Sequence, residues 1–167
     1  MELYDVRING EIVLAKKKKQ IIISKEDAVF WMNGNGDWYN EHGKFGHPKI
    51  IKHFHASIRK DEHGYYLFQE SDECEEKVYF AYKETAVFVF DIKEGKDILL
   101  KLNNSETIQL DPSQLFEKDD KLFLKTPDHL VKFTDRILLK ISKFLEEKDD
   151  QLLFKINNRL YPVDSIQ

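Results

Sequence analysis

Cysteine is almost absent from this 167-residue sequence. Cys74 stands alone, which excludes an internal disulfide and a multi-cysteine metal site, and a single thiol fits a reducing compartment. Long apolar runs are also missing. None approaches the roughly 18 residues that span a bilayer, and the first residues, MELYDVRINGEIVLAKKKK, lack the uninterrupted apolar segment of a secretory signal. A cytoplasmic protein without a membrane partner is therefore expected. Cationic excess is missing too: Lys and Arg total 26 against 30 Asp and Glu, a net charge of -4. That balance speaks against a nucleic-acid partner, whose binding needs a concentrated basic face. Cofactor and nucleotide loops are lacking as well. Asn33-Gly34-Asn35-Gly36 has neither the glycine spacing of a dinucleotide fingerprint nor the Lys-Ser/Thr of a phosphate-binding loop. It reads as the turn of a hairpin within Ala28–Tyr39. With no nucleophile elbow and no selected pair of carboxylates, a non-enzymatic role and no cofactor are expected.

What is present makes a folded domain. Hydrophobic residues account for 41% and aromatics for 13%, with charge distributed among them rather than segregated, so a packed core is within reach. Tyr4, Val6 and Ile8 alternate with Asp5 and Arg7 as in a half-buried strand, and Asn9-Gly10 is a hairpin turn leading to Glu11–Ala15. Lys16–Lys19 reads as a solvated turn, because no aromatic side chain interleaves the lysines. Pro48 suits the first position of a helix, and Ile50, Ile51, Phe54 and Ile58 form one apolar stripe along it. Strands are expected at Gln20–Ser24, Tyr65–Phe68, Lys77–Tyr82, Ala86–Ile92, Ile98–Leu102, Glu106–Leu110, Lys121–Lys125, His129–Phe133, Leu152–Ile156 and Arg159–Val163. A second helix, 134–146, starts at the capping residue Thr134.

The segment His47–Phe68 has a counterpart 87 positions later at Thr134–Lys155. Ile50, Ile51, Phe54 and Ile58 fall on Ile137, Leu138, Ile141 and Leu145, and Tyr65, Tyr66 and Leu67 fall on Leu152, Leu153 and Phe154. A periodic signal that runs through helix, turn and strand without slippage points to one unit used twice. With the charged break Ser71–Glu76 as boundary, the expected architecture is α+β: two related helix-on-antiparallel-sheet units, residues 1–72 and 73–167. Leu139 and Phe144 widen the apolar surface of the second helix, which is expected to bury both against its sheet and the other unit.

Five of the six histidines lie between His42 and His63. They do not form a ligand set: His53 and His55 stand two residues apart and diverge by about 160° on an ideal helix. No metal site is expected. The more promising set is Trp38, Tyr39, His42 and Arg136, three leading into the first helix and one at the start of the second. If the units pack together, helix N–H groups and these side chains meet an anionic ligand there.

Gly36-Asp37-Trp38-Tyr39, Gly43, Ile50-Ile51, Phe54, Ile58-Arg59, Gly64-Tyr65-Tyr66-Leu67 and the Lys77–Ile92 strands resemble a bacterial family, domain-of-unknown-function family 1285. The likeness covers most of the chain from about Trp31 and is strongest from Gly36 to Phe68. Two segments depart from the family pattern, Glu70-Ser71-Asp72 and Thr85-Ala86-Val87. The resemblance implies a duplicated core, a C-terminal half like a pleckstrin-homology barrel, a nucleotide-type small-molecule ligand between the units, and a role in signal transduction. The resulting expectation is a ligand-binding or signalling module. The competing class is a protein-interaction or structural module with a protein partner and no small-molecule ligand.

Overall fold

Four two-residue turns with positive φ at both positions set much of the local order: Asn9-Gly10 (51° and 86°), Asp119-Asp120 (50° and 60°), Asp149-Asp150 (53° and 61°) and Asn157-Asn158 (52° and 60°). This backbone twist matches that of the flanking strands, and Asn, Asp and Gly reach it at least cost. The two Asp-Asp turns lie in segments that the sequence repeats 30 residues apart, LFEKDDKLFLK at Leu115–Lys125 and LEEKDDQLLFK at Leu145–Lys155. That repeat, absent from the expectations above, marks two hairpins.

The structure is a computed structural model describing residues 2–167. In chain order the elements are β1 (Leu3–Ile8), β2 (Glu11–Lys16), β3 (Lys19–Ile23), β4 (Phe30–Met32), β5 (Trp38–Asn40), β6 (Gly43–Lys44) and α1 (Pro48–Ala56). Next come β7 (Ile58–Asp61), β8 (Gly64–Glu70), β9 (Cys74–Tyr79), β10 (Val87–Lys93), β11 (Leu99–Leu102), β12 (Thr107–Gln109) and a 3-10 turn at Pro112–Gln114. The chain finishes with β13 (Leu115–Lys118), β14 (Lys121–Lys125), β15 (Leu130–Phe133), α2 (Asp135–Ile141), a 3-10 turn at Ser142–Phe144, β16 (Leu145–Lys148), β17 (Gln151–Ile156) and β18 (Arg159–Ile166).

These strands form a lone β1-β2 hairpin, a β4-β5-β6 sheet, a β3-β9-β8-β7 sheet and a sheet of nine strands ordered β12-β11-β10-β15-β14-β13-β18-β17-β16. Most neighbours are antiparallel, but β3 and β9, β10 and β15, and β13 and β18 run parallel. The α+β expectation holds: strands dominate and two short helices pack among them. The barrel expectation does not. Among the described residues the large sheet keeps two free edges, β12 and β16, instead of closing. β9, which begins after the expected boundary at 72, pairs in register with β8 and with β3. One apolar cluster runs from Met32 and Trp38 through Leu67, Phe88 and Ile137 to Phe154 and Val163, so both halves of the chain contribute to a common core.

The helices are shorter than their sequence periodicity predicts. Helix 134–146 stops at Ile141, tightens into a 3-10 turn, and becomes a strand at Leu145. Leu139 is 78% exposed, which overturns its expected burial. α2 buries only the narrow face of Ile137 and Ile141, and Leu139 lies off it. Phe144 does pack inward and stacks on Phe154 at 5.5 Å. In α1 the buried residue is His55, whereas Ile50 is 45% exposed and Ile58 already belongs to β7. Even so, the β7–β8 register (Ile58 opposite Leu67, Asp61 opposite Gly64) recurs 87 residues on in β16–β17, with Leu145 opposite Phe154 and Lys148 opposite Gln151.

Candidate functional site

The two parts of the chain meet where the β7–β8 hairpin faces the turn joining β14 to β15. Gly64 opens β8 with a φ of 114°, and a Cβ there would stand 2.8 Å from the Tyr82 hydroxyl. Only glycine tolerates both conditions. Tyr65 follows and turns inward, edge-on to Tyr82 at 5.2 Å between ring centroids. Opposite, the Thr126–His129 turn is pinned at its ends. Thr126 N–H and Oγ1–H both donate to the His129 carbonyl at 2.9 Å, and Thr126 Oγ1 accepts from His129 N–H at 2.9 Å.

This turn delivers the His129 imidazole to Tyr65, with Tyr65 Oη 3.0 Å from His129 Nδ1. Behind it the buried Thr85 hydroxyl donates to Tyr65 Oη at 3.4 Å. Burial holds the Tyr65 phenol above its usual range, so the neutral hydroxyl faces Nδ1. Nε2 lies 3.7 Å from the Glu106 carboxylate, longer than a hydrogen bond, and faces the cleft that Glu106 and His129 line together. Lys60 adds a donor. Its Nζ sits 5.5 Å above the Tyr65 ring and 3.4 Å from the Asp128 carbonyl.

Three clefts surround this turn, of about 580, 350 and 260 Å³. The first is bounded by Phe116, Leu130 and Ile166 with Lys60 and Lys125, and the second by Tyr65, Lys60, Glu106 and His129. Their rims carry both signs of charge, since Asp128 and Asp164 face the same space. Together the clefts present an apolar floor, a stacked Tyr65–His129 pair at 5.9 Å, and the Lys60 ammonium beside the His129 imidazole.

The residues singled out in the sequence lie elsewhere. Trp38 is 1% exposed, its ring packed against Phe30, Phe54 and Phe80. Tyr39 is half-buried and stacks on Trp31 at 6.3 Å. His42 is exposed, with its Nε2 3.2 Å from Glu41. Arg136 donates to the Phe90 carbonyl. Among the described residues no hydrogen bond, ion pair or ring contact joins any two of these four. The start of α2 is also occupied, because Asn35 Oδ1 accepts from Asp135 N–H at 3.2 Å and the Asp135 carboxylate pairs with Lys121 at 2.8 Å. The Asn33–Gly36 turn thus docks on the second half of the chain. The buried Lys132 ammonium fastens it further, donating to the Gly34 carbonyl at 2.6 Å and to Glu84 at 3.1 Å. Of the cleft residues, the sequence placed Tyr65 and His129 only as ends of strands. The one available signal was that His129 is the sole histidine outside the 42–63 group.

Trp38 instead anchors a buried polar node. Its Nε1–H donates to His55 Nδ1 at 3.2 Å, and the Asn103 amide approaches the same nitrogen at 3.3 Å. Asn103 Nδ2 also donates to the Ala86 carbonyl at 2.9 Å, while its Oδ1 accepts from Phe88 N–H at 2.9 Å. Burial pushes His55 down to about 4, so it stays neutral and accepting. The expected divergence of His53 and His55 is seen directly, the first exposed and the second buried.

An α+β protein built on open mixed sheets with a cleft between its halves is the class defined by this geometry. No protein-family model matches the sequence, and no curated protein matches it significantly. Among solved structures, a domain-of-unknown-function family 1285 protein from Silicibacter pomeroyi aligns with a TM-score of 0.58 at 10% identity, covering 88% of this chain and 83% of that one. A second, from Shewanella baltica, aligns with a TM-score of 0.46 at 17% identity, covering 69% of this chain and 91% of that one. The fold is that of domain-of-unknown-function family 1285, in agreement with the resemblance carried by the sequence motifs. Among the described residues no helix is long and apolar enough to cross a membrane.

Proposed function

We propose that this protein is a non-enzymatic binding module that holds a small anionic ligand, of nucleotide type, in the cleft between the β7–β8 hairpin and the Thr126–His129 turn. The supporting observation is the hydrogen-bond line from Thr85 through Tyr65 to His129, which holds the imidazole and the Lys60 ammonium beside a stacked aromatic pair. A preorganised donor needs no reorganisation on binding, and occupancy that tightens the two walls would serve a signalling role. The coincident strand registers 87 residues apart support reading the two walls' parent units, residues 1–72 and 73–167, as copies of one helix–hairpin unit.

The test is thermal-shift screening against nucleotides and related phosphates. A ligand with Kd near 1 μM stabilises the fold by about 2.7 kcal/mol when present at about 100 μM. His129→Phe and Lys60→Met should abolish the shift, whereas His42→Ala and Arg136→Gln should retain it. Loss confined to the last two would move the site to the starts of the helices. No shift with any compound would favour a protein-interaction module.

A further inference from the structure

The β1–β2 hairpin lies outside the core, its root lining an open cleft with Gln20, Glu70 and Glu75. Among the described residues the core and its apolar surround begin at Phe30. Yet six of the thirteen exposed large hydrophobic residues, Leu3, Tyr4, Ile8, Ile12, Val13 and Leu14, lie in this arm. Opposed residues of an antiparallel pair share a face, so the register divides the arm cleanly. One face carries Leu3 with Lys16, Asp5 with Leu14 and Arg7 with Ile12, a charge in every row. The other carries Tyr4 with Ala15 and Val6 with Val13, flanked by Ile8 with Glu11 at the tip and Glu2 with Lys17 at the root. Tyr4, Ile8 and Val13 on this second face are 50%, 54% and 44% exposed. The alternation of Tyr4, Val6 and Ile8 is that of a half-buried strand, but among the described residues no member of the core cluster packs on it. An isolated two-stranded hairpin is at best marginal in water.

We infer that a second copy of the chain covers this face, the two arms packing face to face about a two-fold axis. Only one of the two face-to-face overlays fits. Tip over tip would bring both protein bodies to the same end, whereas tip over root sends them to opposite ends. In that overlay β2 lies over β2 of the other copy, Val13 faces Ala15, and the Glu11 carboxylate at the tip faces Lys17 at the root, twice by symmetry. On the other strand Tyr4 faces Val6. The uncharged rows thus meet one another and Glu11 meets Lys17, while Glu2, which pairs with Lys17 of its own hairpin at 3.5 Å, faces Ile8.

Sedimentation equilibrium of the whole protein over about 1–200 μM, a span that resolves micromolar dissociation constants, tests the pairing. A monomer–dimer equilibrium is expected. Val13→Glu and Tyr4→Lys each raise the dimer Kd by about 100-fold or more, since each buries a charge in the apolar rows. Leu14→Glu, on the mixed face, leaves Kd within about 3-fold. Glu11→Lys alone weakens the dimer by about 10-fold, and Glu11→Lys with Lys17→Glu restores most of it. Circular dichroism confirms that each variant is folded, the arm being outside the core. A monomer at every concentration overturns the inference. So does a dimer that Val13→Glu and Tyr4→Lys leave intact, or one weakened equally by Leu14→Glu.

Discussion

His55 ties acid sensitivity to a single buried contact, and the size of the effect follows from its surroundings. In the folded protein its imidazole accepts from the Trp38 indole at 3.2 Å while burial lowers its pKa from the ordinary 6.5 to about 4. In the unfolded chain the ring returns to water and to its ordinary value. Between those two pH values the unfolded state binds a proton that the folded state refuses. Stability from this residue is therefore complete above about pH 6.5, falls as pH drops toward 4, and falls no further below it. At about 1.4 kcal/mol per pH unit the loss amounts to about 3 kcal/mol. Urea unfolding of the wild type and of His55→Leu, measured at intervals from about pH 7 to pH 4, isolates this contribution from that of the other histidines. The variant should be less stable near neutrality by about 1–3 kcal/mol, because the Trp38 N–H loses its acceptor while Asn103 keeps the Ala86 carbonyl. It should also lose about 3 kcal/mol less than the wild type on acidification. Parallel pH profiles for the two proteins would refute the reasoning.

Leu139→Glu should change stability by less than about 0.5 kcal/mol in the same unfolding assay, as a surface substitution does. Gly64→Ala should cost about 2 kcal/mol or more, because the added Cβ meets both a φ of 114° and the Tyr82 hydroxyl. Asp150→Gly should stabilise by about 0.5 kcal/mol, relieving a positive φ in the β16–β17 turn without touching a buried contact. Lys132→Met should destabilise by about 1–3 kcal/mol and raise hydrogen exchange in the Asn33–Asp37 turn, whose Gly34 carbonyl loses its donor.

Strand content, both helix starts and the Asn9-Gly10 and Asn157-Asn158 turns were legible in the sequence because each depends on neighbours a few residues away. The end of the second helix was not. Leu145 continues the helical apolar spacing, yet Glu146–Lys148 are drawn into β16 by pairing with Gln151–Leu153 across the Asp149-Asp150 turn. The inward rotation of α1 was hidden for a similar reason. What turns His55 rather than Ile50 to the interior is a pair of polar partners at 38 and 103, neither near it in sequence. The cleft was the least accessible part. Tyr65, Thr85, Glu106 and His129 are spread over more than a third of the chain, share no spacing, and meet only because a hairpin and a turn from separate sheets face each other. The candidate set around Trp38 and Arg136 was drawn from nearness to helix starts, the one spatial guide in the sequence, and holds none of these four residues.

The position of β18 has a consequence for how the fold is reached. It lies between β13, which it joins in parallel with Asp164 beside Phe116, and β17, which it joins through a two-residue turn. The hairpin β16–β17 therefore has no route to the remainder of the large sheet except through residues 159–166. During synthesis every earlier strand can pair with its neighbours while that sheet stays in two pieces. Joining them requires closing a loop of dozens of residues, a slow, non-local step. Until then the flanks of β13 and β17 remain open to pairing with other chains.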